Sequence, residues 1–144
     1  MNAQFMESAL KSAENAFSED CVPVGAVIVK DEKLIYAAGN GRDAIAHAEL
    51  KAIAGAIRIL NSNFLNDCSI YVTLEPCAMC AQAISLARIK NLYFGAYDLK
   101  YGSVIHNARI FQYAMHKPNI VGGILELKCS QILQSFFENK RNKL

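Results

Sequence analysis

The sequence lacks the features that mark membrane and exported proteins. No stretch approaches eighteen uninterrupted apolar residues. A signal peptide has a basic segment followed by a continuous apolar one, and the opening residues, MNAQFMESALKSAENAF, contain no such pair. The chain also has no internal repeat, linker or low-complexity tract. We therefore expect a soluble, cytoplasmic protein that does not contact a membrane.

Charge is scarce as well. Only 19% of the residues are charged, and the formal net charge of +2 is too small to indicate nucleic-acid binding by itself, although a local basic patch is compatible with it. Hydrophobic residues make up 53% of the chain, more than a typical soluble surface requires. With 144 residues, the chain is predicted to form a single domain spanning 1–144. The excess of apolar residues predicts a large core or a subunit interface, so we expect the protein to self-associate, as a homodimer.

A disulfide framework is not expected. The five cysteines are an odd number in a chain without an export signal, which favours reduced thiols. Two of them, Cys77 and Cys80, are only three residues apart.

Hydrophobic spacing in the first half of the chain predicts a helix, a hairpin and a second helix. Apolar residues from Phe5 to Phe17 recur at three- and four-residue intervals. VGAVIVKDEKLIYAAG reads as two strands around the polar turn 31–33. Residues 47–60 form the second helix, with these residues predicted to face inward: Leu50, Ile53, Ala54 and Ile57.

The second half predicts alternating strands and helices. SIYVTL (69–74) is a strand, CAMCAQAISLAR (77–88) a helix and NLYFGAY (91–97) a strand, an arrangement that implies parallel pairing. After a segment without a clean period, NIVGGIL (119–125) suggests a fifth strand. The last helix begins near Glu126 and carries four large apolar residues: Leu127, Ile132, Leu133 and Phe136.

Two clusters carry groups that bind metals. His47 and Glu49 lie at the start of the second helix, and Cys77 and Cys80 follow Pro76 at a strand-to-helix transition. Spacing of i, i+3 places both sulfurs on one helix face, and a helix start favours the thiolate, which is the form that binds metal. Both helices leave the carboxyl end of the sheet, so the imidazole and the thiolates can meet around one cation.

One nitrogen and two sulfurs favour Zn²⁺, and three protein ligands leave a coordination position for water, as in catalytic sites. Glu49 would then accept a proton from that water. Other interpretations remain open: the histidine could be a core residue, and the two cysteines could be a redox pair or half of a zinc knuckle.

The combined pattern, H-x-E followed about thirty residues later by P-C-x-x-C, resembles the cytidine deaminase-like superfamily. Within it, LEPCAMC, FGAYDLK and the double phenylalanine of SFFENKR are most similar to bacterial tRNA-specific adenosine deaminases. The resemblance implies a three-layer α/β/α fold with a mixed five-stranded sheet flanked by helices. It also implies hydrolytic deamination of the wobble adenosine to inosine in the tRNA anticodon stem-loop.

The resemblance further implies site residues. His47, Cys77 and Cys80 would bind one zinc ion per subunit, and Glu49 would move protons from the attacking water to the ring and the departing amine. The implied substrate contacts come from seven further positions: Asn40, Val22, Leu74, Asp98, Lys100, Phe136 and Phe137.

Each of these contacts has a second interpretation. Asn40 could serve only as part of an Asn-Gly turn, Val22 and Leu74 could be core, and Asp98 and Lys100 could form a solvated turn. At least one of the two phenylalanines is expected in the core, because Phe136 follows Ile132 and Leu133 at helical spacing. The remaining cysteines and histidines are given structural or incidental roles: Cys21, Cys68, Cys129, His106 and His116.

The nature of the substrate leaves alternatives as well. A basic edge for RNA, or merely a solvated helix end, could come from Lys128, Lys140, Arg141 and Lys143. Only GRDAI separates Asn40 from AHAE, a shorter loop than in many relatives, so the wall facing the base could differ. A small-molecule deaminase acting on guanine or cytosine, or a non-catalytic zinc protein, would contain the same metal segments.

Overall fold

The structure, a computed structural model, describes residues 1–142, so Lys143 lies outside the described residues. Residues 1–142 form four helices and five strands, with a short 3-10 helix at Ile110–Gln112. The helices are α1 (Ala3–Ser18), α2 (Ala48–Leu60), α3 (Ala78–Leu86) and α4 (Glu126–Asn142). The strands are β1 (Gly25–Lys30), β2 (Lys33–Gly39), β3 (Cys68–Leu74), β4 (Asn91–Ala96) and β5 (Asn119–Val121).

The five strands form one mixed sheet in the order β2-β1-β3-β4-β5. β1 is antiparallel to β2 and to β3, whereas β3, β4 and β5 are parallel. The predicted mixed sheet and the parallel β3-α3-β4 unit are confirmed. β3 and β4 both end at the same edge of the sheet, and α3 begins beside that edge.

Helices cover both faces of the sheet because neighbouring strand residues point in opposite directions. Val27 and Tyr71 pack in the cluster formed with α1 and α4, whereas Ile28 and Ile70 pack in the cluster formed with α2 and α3. The result is the predicted three-layer α/β/α architecture. No helix among residues 1–142 is long and apolar enough to cross a bilayer.

The turn of the hairpin and the fifth strand are each shorter than predicted. Asp31 and Glu32 alone form the turn, both with positive φ, and Lys33 already pairs with Lys30. This is the backbone conformation of a two-residue type I′ hairpin loop. β5 ends at Val121 because Gly122 lies against the Phe94 ring and Gly123 adopts a φ of +83°.

Ala54, predicted to face inward, is exposed instead, and Leu127 is exposed as well. Ala54 lies on the outer face of α2, since the buried stripe of that helix contains Ala52 and Ala56. Leu127 is exposed on α4, whose buried residues are Cys129 and Phe136. Residues two positions apart lie about 200° apart around a helix, on nearly opposite faces. Ala54 is therefore opposite Ala52 and Ala56, and Leu127 is opposite Cys129.

Candidate zinc site and substrate cavity

Two helix starts meet at the end of β3. His47 is the N-cap residue of α2 and Cys77 is the N-cap residue of α3, and neither side chain makes a capping hydrogen bond. His47 Nδ1 lies 3.3 Å from Cys80 Sγ and 3.6 Å from Cys77 Sγ. The fold therefore brings together the imidazole and the two thiols that the sequence pattern paired.

The donor set and its spacing fit zinc. Bonds of about 2.1 Å to nitrogen and about 2.3 Å to sulfur place two ligands of a tetrahedral zinc ion about 3.6 Å apart. The ligand atoms of His47, Cys77 and Cys80 all lie within 4.8 Å of one another. Among residues 1–142, no fourth histidine, cysteine, aspartate or glutamate joins this cluster. Three protein ligands are the number found in catalytic zinc sites.

The two thiols differ in their protonation. The Cys80 thiol and backbone N–H both donate to Cys77, and with His47 nearby they lower the pKa of Cys77 to about 5 in spite of burial. The same hydrogen bond, together with burial, raises the pKa of Cys80 above its ordinary value. The hydrogen bond between the two sulfurs thus favours a thiolate in this cluster, and thiolate is the form that binds zinc.

Glu49 lies one residue inside α2 and is only 4% exposed. Burial raises the pKa of Glu49 to about 7, above the range of an ordinary carboxyl. The carboxyl lies within hydrogen-bonding reach of Cys80, and it lines the same cavity as His47 and Cys77. Glu49 is outside the group of three potential ligands, so its carboxyl remains available to a water or a substrate.

A cavity of about 930 Å³ opens beside this cluster. Six of the residues that the resemblance implied as substrate contacts line it: Val22, Asn40, Leu74, Asp98, Lys100 and Phe137. Phe136 does not belong to the cavity wall. Its ring is buried and packs edge-on against Phe17, while the neighbouring Phe137 is exposed. The structure therefore separates the two phenylalanines into one core residue and one cavity residue.

Sequence reasoning missed several other cavity residues. The additional lining residues are Val24, Glu75, Tyr97, Leu99, Tyr101 and Leu133. Glu75 carried a detectable signal, because it is a carboxylate at the end of a buried strand, directly before Pro76. Burial raises the pKa of Glu75, but hydrogen bonds from His106 and from backbone amides outweigh burial and lower it overall.

The remaining histidines and cysteines have structural surroundings. His106 Nδ1 lies 2.8 Å from a Glu75 carboxylate oxygen, and His116 Nε2 lies 2.7 Å from the backbone oxygen of Ile89. The other three cysteines are buried free thiols outside the metal cluster: Cys21, Cys68 and Cys129.

The predicted basic edge on α4 is largely paired with carboxylates. Lys128 Nζ lies 2.7 Å from Glu7, and Lys140 Nζ lies 2.7 Å from Asp20. These contacts reduce the positive charge that α4 presents to a phosphate. Lys100, on the cavity wall, makes no ion pair among residues 1–142, and its Nζ lies 5.2 Å from the Tyr101 ring centre.

Comparisons with known proteins agree with this geometry. The family model described as the cytidine and deoxycytidylate deaminase zinc-binding region matches residues 1–96. A tRNA-specific adenosine deaminase of Rickettsia bellii is 46% identical over 95% of this chain and 100% of its own length. A solved structure from a study of A-to-I editing by tRNA:A34 deaminases at the wobble position of transfer RNA has a TM-score of 0.89. It is 43% identical, covering 92% of this chain and 100% of that one. A guanine deaminase from Nitrosomonas europaea shares the fold, with a TM-score of 0.81 at 19% identity over 94% of this chain and 84% of that one.

Proposed function

The chain belongs to the zinc-binding cytidine and deoxycytidylate deaminase family, and we propose that it converts the wobble adenosine of a tRNA anticodon to inosine by hydrolytic deamination. Family membership confirms the predicted fold and the zinc cofactor. The substrate is inferred from the tRNA-specific adenosine deaminase that is 46% identical over its full length. A cytoplasmic location, where tRNA is available, is part of this proposal.

One observation carries the catalytic interpretation: the buried Glu49 carboxyl lines the same cavity as His47 and Cys77, two members of the potential zinc cluster. A zinc ion used only to stabilise the fold needs neither a cavity nor an unliganded carboxyl beside it. A hydrolytic site needs both, because water and substrate must reach the metal and a base must accept a proton.

His47, Cys77 and Cys80 would hold zinc, which when bound lowers the pKa of a coordinated water and so supplies a nucleophile near neutral pH. In the proposed reaction, water adds to C6 of adenine while Glu49 accepts its proton. Glu49 passes this proton to a ring nitrogen, then takes the proton of the new C6 hydroxyl and delivers it to the exocyclic amine. The bond between C6 and the amine breaks, ammonia leaves, and inosine remains.

The cavity suits a base from a single-stranded loop. Anticodon bases are already unstacked, so moving one into a pocket costs less than it would from a duplex. We assign Val22 and Leu74 to the pocket walls and Asn40 to the base. Asp98 and Lys100 are assigned to the ribose and phosphates, and the exposed Phe137 to a neighbouring nucleotide.

Inosine formation tests the proposal directly. Purified zinc-loaded protein is incubated with total tRNA and with an anticodon stem-loop, and inosine is measured by mass spectrometry. Free adenosine, guanine and cytosine are assayed in parallel by ammonia release. We expect inosine in tRNA and in the stem-loop, whereas release from guanine or cytosine alone would contradict the tRNA substrate.

We further propose a homodimer formed through an apolar patch on and beside α3. Met79 and Leu86 are seven residues apart on α3 and are both exposed, so they share one helix face. Tyr113 and Met115 are also exposed, and the Ser85 hydroxyl joins α3 to this segment by donating to the backbone oxygen of His116 at 2.7 Å. Clustered exposed apolar side chains of this kind indicate a protein interface.

A further inference from the structure

Glu75 anchors a loop that the proposed chemistry does not explain. Its side chain is fully buried and lies between β3 and the loop formed by residues 98–106, called here the 98–106 loop. One carboxylate oxygen accepts the backbone N–H of Asp98 at 3.1 Å and faces the His106 ring nitrogen at 2.8 Å. The other accepts the backbone N–H groups of Val104, Ile105 and His106 at 3.0–3.2 Å.

These contacts join the two ends of the loop to one side chain. Asp98 opens the loop and His106 closes it, and both bind the same carboxylate oxygen. Within the loop, Asp98 Oδ1 accepts the backbone N–H groups of Lys100 and Tyr101, and the Asp98 backbone oxygen accepts that of Gly102. The loop is thus held at both ends by Glu75 and internally by Asp98.

The same loop forms one side of the substrate cavity. The four consecutive residues Asp98, Leu99, Lys100 and Tyr101 all line the cavity. Glu75 itself follows the last residue of β3, and its backbone N–H donates to the Ala96 oxygen at 2.8 Å, which fixes it to the end of β4. The carboxylate therefore fixes the loop residues of the cavity wall relative to the ends of β3 and β4.

We propose that Glu75 is a positioning residue that sets the substrate-facing wall of the cavity, an inference that rests on the proposed function. It acts through the 98–106 loop and not at the reacting atoms. Its loss would weaken substrate binding more than it slows chemistry, because uniform binding interactions appear in KM whereas interactions specific to the transition state appear in kcat.

Glu75→Gln is the principal test, because the amide has nearly the same volume but replaces one acceptor oxygen with a donor. The donor would face backbone N–H groups that also donate. We expect hydrogen exchange of the 98–106 amides to accelerate at least about tenfold. For the anticodon stem-loop we expect KM to rise about tenfold while kcat stays within about threefold. Zinc content, measured by elemental mass spectrometry, should remain one per chain.

Gly102→Ala provides a second variant that leaves Glu75 in place. A Cβ at this position would lie 2.5 Å from Glu75 Cδ and 2.4 Å from the Asp98 backbone oxygen, so the loop must move away from its anchor. We expect the same pattern of faster loop exchange and higher KM. Glu14→Gln, an exposed change on α1, is the matched control and should alter none of these quantities.

The exchange measurement needs no substrate, so the two proposals can fail separately. Wild-type protein that forms no inosine would contradict the proposed function, whereas unchanged exchange of the 98–106 amides in folded Glu75→Gln would overturn the anchoring role. Loss of kcat at constant KM would also overturn it, by assigning Glu75 to the chemical step. If Glu75→Gln does not fold, Gly102→Ala decides the question by the same measurements.

Discussion

Asn40 caps a helix that begins eight residues after it: its Oδ1 accepts the backbone N–H of Ala48 at 2.8 Å. The N-cap residue of α2, His47, makes no capping bond of its own. Asn40 therefore replaces the missing cap and leaves the imidazole available to the metal cluster. Because the carbonyl oxygen is committed to the helix, the group that Asn40 can offer to a base in the cavity is its amide N–H₂.

Replacing Asn40 separates capping from base recognition. Asn40→Asp keeps an acceptor for Ala48 but has no N–H₂, so we expect stability within about 0.5 kcal/mol of wild type and a higher KM for the stem-loop. Asn40→Ala loses both and should also lower the free energy of unfolding by about 1 kcal/mol. Chemical denaturation and steady-state kinetics provide the two readouts. Wild-type KM in Asn40→Asp would show that the amide does not contact the substrate.

Glu49→Gln tests the proton transfer. The amide cannot accept the proton of the attacking water, so we expect kcat to fall by about 10²–10⁴-fold. Zinc should be retained, because Glu49 is not one of the three potential ligands. Single-turnover inosine formation and elemental analysis measure the two effects. Unchanged turnover would refute the proton-shuttle role, and zinc loss would indicate that Glu49 supports the metal instead.

Zinc removal should abolish activity reversibly. A chelator should stop inosine formation and lower the melting temperature, and added Zn²⁺ should restore both. Cys77→Ser should bind less than one zinc per chain, since it removes the sulfur whose pKa is lowered to about 5. Cys21→Ser is the matched control, because Cys21 is a buried thiol outside the cluster and should keep full occupancy. Full zinc binding by Cys77→Ser would exclude Cys77 as a required ligand.

The proposed dimer is tested by charge in the α3 patch. Leu86→Glu places a carboxylate on an exposed apolar face that would be buried between subunits, and we expect monomers in analytical ultracentrifugation. Ile59→Glu, at an exposed position on α2, should leave the association state unchanged. A wild-type protein that sediments as a monomer, or a Leu86→Glu dimer, would exclude this interface.

Alkaline pH should destabilise the fold through Cys129. Burial raises the pKa of this thiol from 9.0 to about 12, so between these values the unfolded chain loses a proton that the folded chain keeps. The free energy of unfolding should therefore fall as pH rises above 9, with a contribution of at most about 1.4 kcal/mol per pH unit from this group. Cys129→Ala should show a shallower fall in denaturation curves recorded with reductant present. Parallel curves for the two proteins would contradict this assignment.

The sequence alone was sufficient for the order of elements and for the metal cluster. Period-two strands, helical spacing and turn residues are local properties, and the ligands stand at two helix starts that local patterns locate. Local periodicity did not determine which face of each helix packs against the sheet. Ala54 is exposed for that reason, although it has an apolar neighbour, Ile57, at helical spacing.

What the sequence determined by itself was the metal chemistry: one imidazole, two thiols and a carboxyl at positions that any such fold would bring together. Tertiary structure alone decided the contacts between distant parts of the chain. It paired Lys128 with Glu7 across 121 residues and set Glu75 against backbone amides 23 to 31 residues away. Such contacts follow from how helices and strands pack, so no periodicity in the chain encodes them.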